Sequence, residues 1–326
     1  MLLTRLPEFV RGKLSSCAEL LRIWRAPIIS RRSLSSTRVD LHLPYNCCNP
    51  SFFPYQGEIR GIVRTVNYEK ENRANRFRFL SGSRWDSVNY YVKLSPENDV
   101  AMINRIEDAE FRKDGLAECG LEDLRIFTHR ENHYVIGLLA SGIPSSTSTI
   151  FIARFDPKSG RLSGLTPIPT PVGKPREKNW MPFEWPGSTN DLHVIYGLSP
   201  LTVYRVNLDE EGCSLGEKWV LKSDLPFSYS GGTNMVPYKG GVLGLIHRRT
   251  VIGGVSYYKH AFLYLGNDLR DCGVSREFFF KSRGIEFAVS LFLRDGKLHI
   301  GYGELDRVAW LDCYEEDLPL RLGLGL

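Results

Sequence analysis

The chain has no Cys-x-x-Cys pair, no intact glycosylation sequon and no apolar run near the ~18–20 residues that a membrane-spanning helix needs. Its seven cysteines (Cys17, Cys47, Cys48, Cys119, Cys213, Cys272, Cys313) are odd in number and lack zinc-type spacing. A disulfide scaffold and a structural zinc site are therefore not expected. Reduced thiols fit an intracellular, cytoplasmic setting. Asn49-Pro50-Ser51 loses its sequon character to the proline, which agrees with a protein that is not secreted. Helical periodicity is also scarce after residue 40, which argues against a doubly wound α/β sheet. One helix is expected, over Pro96 to Lys113.

Basic charge is missing where a nucleic-acid binder would need it. Eight of the 42 Lys/Arg and two of the 37 Asp/Glu fall in residues 1–38, leaving 34 bases against 35 acids in the remainder. A near-neutral body sets nucleic acid aside as a partner. The first forty residues are Arg- and Ser-rich, with a stretch from Leu14 to Ile29 that fits a short amphipathic helix. That composition suits either an organelle transit peptide or a disordered extension. In both readings residues 1–40 lie outside the fold, and residues 41–326 form one body.

The body is rich in short β-type runs. Arg60 to Tyr68, His133 to Leu139, Thr149 to Phe155, Leu192 to Tyr196, Gly241 to His247 and Lys297 to Tyr302 all favour strands. Asp156 to Gly160, Lys239 to Gly241 and Arg294 to Gly296 supply turns between them. Five polar motifs recur beside these runs, starting at Asn49, Glu122, Lys178, Ser230 and Ile285, with gaps of 73, 56, 52 and 55 residues. Repetition near 40–50 residues is the signature of four-stranded propeller blades. The expectation is all-β, a single five-bladed β-propeller, with a pair of β-sandwiches as the alternative. In a propeller the blades converge on one axis, so one polar cluster per blade would meet in one pocket.

Each motif has a chemical and a plainer reading. Asn49-Pro50-Ser51 is either a ligand contact or a turn before a strand. Arg64 and Asn67 follow on the next strand, and an arginine within an apolar strand needs a partner or an anionic ligand. Glu122-Asp123-Leu124-Arg125 can place a general acid beside a cation, or it is a surface ion pair. Lys178-Asn179-Trp180 mixes a cation, an amide and an aromatic face, as sugar sites do, or buries its tryptophan at a blade edge. Ser230-Gly231-Gly232-Thr233 permits close backbone approach to a ligand, or marks an ordinary turn. His247 with Arg248, Arg249, Tyr258 and His260 can hold phosphate, or His247 is structural. Asp306, after Gly303, orients a hydroxyl or belongs to a turn.

Taken in order, these motifs resemble the five-bladed propeller family of β-mannoside phosphorylases (glycoside hydrolase family 130). They are also similar to the β-mannosyltransferase/phosphorylase group (glycosyltransferase family 108). The resemblance covers roughly residues 44–315. It implies that Asp123 is the proton donor and that His247, Tyr258, Arg125 and Lys178 gather phosphate. It implies substrate contacts from Asn49, Arg64, Asn67, Glu122, Arg125, Lys178, Asn179, Trp180, Gly232, Thr233 and Asp306. The family's bacterial phosphorylases commonly carry a lysine before the glycine motif, where this chain has Tyr229 and Ser230. The implied activity is an inverting β-mannosyltransferase or β-mannoside phosphorylase, with mannose 1-phosphate or nucleotide-mannose as donor. Its partners would be a mannose-containing oligosaccharide and phosphate, with no metal and no cofactor. An inverting hydrolase using Glu286 or Asp306 as base, and a binding propeller without chemistry, remain open alternatives.

Overall fold

The computed structural model describes residues 8–326 apart from 72–75, 114–116, 142–146, 174–175, 186–190, 210–211, 222–224 and 268–270. Five antiparallel sheets carry the chain around one axis, as expected of a five-bladed propeller. The first blade runs Asn46–Tyr55, Glu58–Val66, Ser87–Leu94, Val100–Arg105. The second runs Leu121–His129, Asn132–Ser141, Thr147–Phe155, Leu162–Pro167, and the third Met181–Glu184, Leu192–Leu198, Leu201–Leu208, Cys213–Leu221. In the fourth, Ser230–Gly231 and Val236–Tyr238 both pair with Gly241–Ile252, followed by Val255–Leu265 and Cys272–Val274. The fifth runs Glu286–Arg294, Lys297–Glu304, Val308–Glu315 and closes on Ser35–Val39.

Local chemistry sets the hairpins. In four blades the inner strand turns back through two residues that both have positive φ: Gln56-Gly57, Arg130-Glu131, Lys239-Gly240 and Asp295-Gly296. Such turns match the right-handed twist of the strands they join. The inner strands are apolar on alternating positions and pack between neighbouring sheets, giving cores such as that of Tyr91, Leu121, Val135 and Phe151. Hydroxyl and amide side chains fasten the blades near the axis. Ser51 Oγ accepts from Ile126 N (2.9 Å), Ser290 Oγ accepts from Phe52 N (2.9 Å), and Asn234 Nδ2 donates to Leu291 O (3.0 Å).

Two expectations need correction. Residues 1–40 do not all lie outside the fold. Residues 1–7 fall outside those described, but Ser35–Val39 pairs with Val308–Glu315 and supplies the fifth blade's outer strand. A helix over Glu8–Arg25 leads into it, with Ile23, Ala26 and Ile29 buried. The segment from Pro96 to Lys113 is not one helix. It contains the outer strand Val100–Arg105 and only a short helix, Ala109–Lys113. The first blade needed a fourth strand, and pairing with Ser87–Leu94 overrides the weak local helical pattern.

Candidate active site

The inner strands start at one end of the axis, and there the regular pairing breaks. Register shifts occur between Cys48 and Ser51, between Glu122 and Arg125, and between Ala288 and Ser290. A bulge re-aims a side chain that regular alternation would have sent elsewhere. At two of these bulges the extra residue is left-handed: Asn49 has φ 45° and Asp123 φ 50°. Asn179 (φ 65°) ahead of the third blade and Asp306 (φ 52°) in the fifth do the same. Asn and Asp tolerate this conformation best among residues with side chains. All four line one cavity of about 270 Å³.

Packing dictates two glycines. A Cβ on Gly231 would lie 2.1 Å from the Asn179 carbonyl oxygen, and one on Gly303 would lie 2.4 Å from Asn49 Oδ1. Both glycines let a neighbouring backbone bring its polar side chain to the cavity.

The floor is a charged cluster. Asn49 Nδ2 donates to Asp123 Oδ1 at 2.8 Å. Arg64 lies 3.2 Å from the same carboxylate and 2.8 Å from Glu122 Oε1, while its Nε donates to Ser87 Oγ (3.0 Å). Burial pushes both carboxyls up, yet the outcome differs. Glu122 stays raised because the neighbouring Asp123 charge adds to burial against the pull of Arg64. Asp123 ends below the ordinary aspartate range, because Arg64, Arg125, the Asn49 hydrogen bond and Lys178 together outweigh its burial. Two adjacent carboxyls with opposed shifts are the electrostatic pattern of an acid–base site. Across the cavity Asp306 lies 3.6 Å from Lys70.

The walls add free cations and aromatic faces. Among the described residues Lys178 and Arg176, both lining the cavity, have no carboxylate within ion-pair distance. His247 is buried and held neutral, its pKa pushed down to about 3 by burial and by the cations Lys178 and Arg125. Its ring stacks with Tyr258 (5.7 Å, 11°) and meets the edge of Phe287 (4.9 Å). Tyr68, Phe77 and Trp85, which also line the cavity, form an aromatic cluster.

Of the residues expected at the site, the cavity brings together Asn49, Arg64, Glu122, Asp123, Lys178, Asn179, His247, Tyr258 and Asp306. Five others stand behind it. Asn67 Nδ2 donates to Ser81 O and Arg84 O, and its Oδ1 accepts from Asp86 N, so it pins the loop that carries Trp85. Arg125 is buried, with Nε on Gly232 O (2.5 Å) and Nη1 on Asp123 O (3.1 Å), so it braces the Asp123 backbone from outside the cavity lining. Gly232 is therefore a carbonyl partner of Arg125. Trp180 is buried, its Nε1 donating to Glu177 (3.3 Å). Thr233 Oγ1 accepts from Leu245 N (3.0 Å) inside the fourth blade.

Glu286 also leaves the chemistry. Its oxygens accept the N–H groups of Phe280, Lys281 and Ser282 at 2.7–2.8 Å, and it is fully buried outside the cavity. Sequence reasoning overlooked Tyr68, Lys70, Phe77, Trp85 and Arg176. The signal for the first four was the long stretch between the first blade's second and third strands, which folds into the hairpin Tyr68–Lys70, Phe77–Phe79.

No protein-family model matches the chain, and no curated protein matches it significantly in sequence. Solved structures do. A β-1,2-mannobiose phosphorylase from Listeria innocua superposes with a TM-score of 0.58 at 12% identity, over 89% of this chain and 93% of its own. A mannose phosphorylase from Leishmania mexicana, solved with a phosphate ion, gives 0.57 at 12% identity over 90% and 92%. A structure from work on family 130 mannoside phosphorylases, and on glycoside hydrolases within that family that target β-1,2-mannosidic linkages, gives 0.61 at 14% over 84% and 86%. The chain thus has the five-bladed propeller fold of glycoside hydrolase family 130, as its motif series led us to expect.

Proposed function

We propose that the protein is an inverting carbohydrate-active enzyme that transfers mannosyl groups between mannose 1-phosphate and a β-mannoside acceptor. The observation that carries the reading is the floor cluster Asn49–Asp123–Arg64–Glu122, set in the same cavity as the unpaired cations Lys178 and Arg176. A carboxylate with a cation-fixed position serves proton transfer, and the free cations suit an anionic group. Tyr68, Phe77 and Trp85 offer rings on which the C–H faces of a sugar can lie.

In the synthetic direction Asp123 takes the proton of the attacking acceptor hydroxyl. The oxygen of that hydroxyl bonds to the anomeric carbon as phosphate leaves from the opposite face. Its depressed pKa keeps Asp123 ionised and ready as a base. In phosphorolysis the same proton returns to the leaving glycosidic oxygen while phosphate attacks. Arrival of a phosphate anion adds negative charge near Asp123 and raises its pKa toward that task. Phosphate as nucleophile or leaving group removes the need for a second catalytic carboxylate. Lys178, with Tyr258 and the neutral His247, holds the phosphate.

A second reading rests on Asp306, whose carboxylate shares the cavity with Asp123. There it would activate water in an inverting hydrolase. Incubation with mannose 1-phosphate and a β-mannobiose acceptor tests the proposal by phosphate release and product length. Cleavage of a β-mannoside at a rate independent of added phosphate would replace transfer with hydrolysis. No turnover with either substrate pair would refute both.

A further inference from the structure

We propose that the N-terminal helix is a clasp that positions one wall of the cavity, with Glu19 as its anchoring residue. This concerns the support of the site and holds whichever reaction the cavity performs.

Glu19 sits at the centre of a partly buried charge network against the fourth blade. Its Oε1 accepts from Lys259 Nζ (2.5 Å) and from Arg248 Nη2 (2.7 Å). Both cations also bind Glu277, Lys259 at 2.8 Å and Arg248 at 2.7 Å. Lys259 is wholly buried. Lys259 and Arg248 thus share two carboxylates, one of which comes from the helix, where Glu19 Oε2 also accepts from the exposed Arg22 (3.2 Å). Removal of Glu19 leaves the wholly buried Lys259 and the partly buried Arg248 facing a single acid, which is unfavourable.

The helix holds a second attachment at its C-terminal end. Arg283 Nε donates to Ile23 O (3.1 Å) and its Nη2 to Trp24 O (3.0 Å), satisfying carbonyls that a helix end leaves orphaned. Beyond the helix, Phe279 N donates to Pro27 O, and Ile29 N and Ser30 N donate to Phe279 O and Phe280 O, all at 2.9 Å. The loop 278–286 is therefore gripped by the N-terminal segment on one side. Glu286 holds it from the other.

That loop delivers the wall. It carries Ile285 and leads into Phe287, both of which line the cavity, and Gly284 O accepts from Tyr258 N at 2.8 Å. Phe287 and Tyr258 in turn enclose the His247 ring. Lys259 and Arg248 are the strand neighbours of Tyr258 and His247, so the network and the wall share one backbone.

The test uses the full chain with Glu19→Ala and, separately, Arg283→Ala, read by amide hydrogen exchange. The expected result is that residues 276–290 exchange at least about tenfold faster in each variant, while the first and second blades keep their wild-type rates. Unchanged exchange at 276–290 overturns the proposal. So does equal acceleration in all five blades, which would mark Glu19 as a general stabiliser. Should Glu19→Ala fail to fold, Glu19→Gln, which keeps an oxygen acceptor for Lys259 and removes the charge, is read in its place, and Arg283→Ala tests the second attachment. Wild-type protein that turns over no mannosyl substrate would sink the proposed reaction and leave this exchange result standing.

Discussion

Replacing Asp123 by Asn separates chemistry from architecture at the cavity floor. Asparagine keeps the size of the side chain and tolerates φ 50°, so the bulge survives. Arg64 retains Glu122 at 2.8 Å and Ser87 at 3.0 Å, so it is not left unpaired. The stability cost is then that of one weakened hydrogen-bonded carboxylate, ~1–3 kcal/mol, a fall in Tm of less than about 10 °C. The kinetic cost is larger. A positioned proton carrier contributes ~10²–10⁴-fold, which is ~2.7–5.4 kcal/mol of barrier. With mannose 1-phosphate and β-mannobiose, kcat/KM should fall at least about 100-fold at a temperature where calorimetry shows both proteins folded. Loss of the Asp123 charge also removes one of the influences that raise Glu122, so the Glu122 carboxyl should titrate lower in the variant. Retention of kcat/KM within about threefold, with Glu122→Gln inactive, would refute the assignment and move the proton to Glu122.

Lys178→Met should raise KM for mannose 1-phosphate about tenfold or more, because a charged hydrogen bond is worth ~1.5–3 kcal/mol. Its Tm should shift little, since no described carboxylate loses a partner. His247 stays neutral down to about pH 3. An imidazolium holding the phosphate group would release it as pH rises through ~6.5, so affinity for mannose 1-phosphate should show no loss there. A titrating His247 signal between pH 5 and 8 would contradict this. Glu286→Ala strands three backbone N–H groups and should cost at least ~3 kcal/mol by chemical denaturation, a role in folding and not in proton transfer.

The propeller was legible because its evidence is periodic. Hairpin dipeptides such as Lys239-Gly240 and Asp295-Gly296 punctuate the chain where φ must be positive, and the polar motifs recur at blade spacing. The closing strand was not legible. Ser35–Val39 is five residues of ordinary polarity, and only its partner Val308–Glu315, some 270 residues away, makes it a strand. The helix ahead of it carries surplus positive charge and so looks like a detachable leader. Nothing local reveals that Glu19 reaches a lysine 240 residues further on. The aromatic wall was hidden for a related reason. Tyr68, Phe77 and Trp85 converge only once the chain between two strands of one blade folds back on itself.

Each motif had a ligand-contact reading and a structural one, and in three of them the structure shows both. Asn49 enters the cavity, while Ser51 binds the second blade and the Pro50 carbonyl accepts from Ser290 of the fifth. Asp123 enters, and Arg125 reaches back to the fourth blade. Asn179 enters, and Trp180 is buried. In all three the left-handed residue meets the cavity, and a residue one or two positions later fastens the blades. The coupling has a physical cause. At Asn49 and Asp123 a bulge swings one side chain into the axis and leaves a following one turned toward a neighbouring blade. A short polar motif at a blade's inner start therefore holds two kinds of information, and in these three the residue with positive φ is of the cavity-facing kind. Arg125 joins the two halves, since one guanidinium holds both the Asp123 carbonyl and Gly232 of the fourth blade. The position of the proposed proton carrier is thus set by how two blades meet, and this binds the chemistry to closure of the ring.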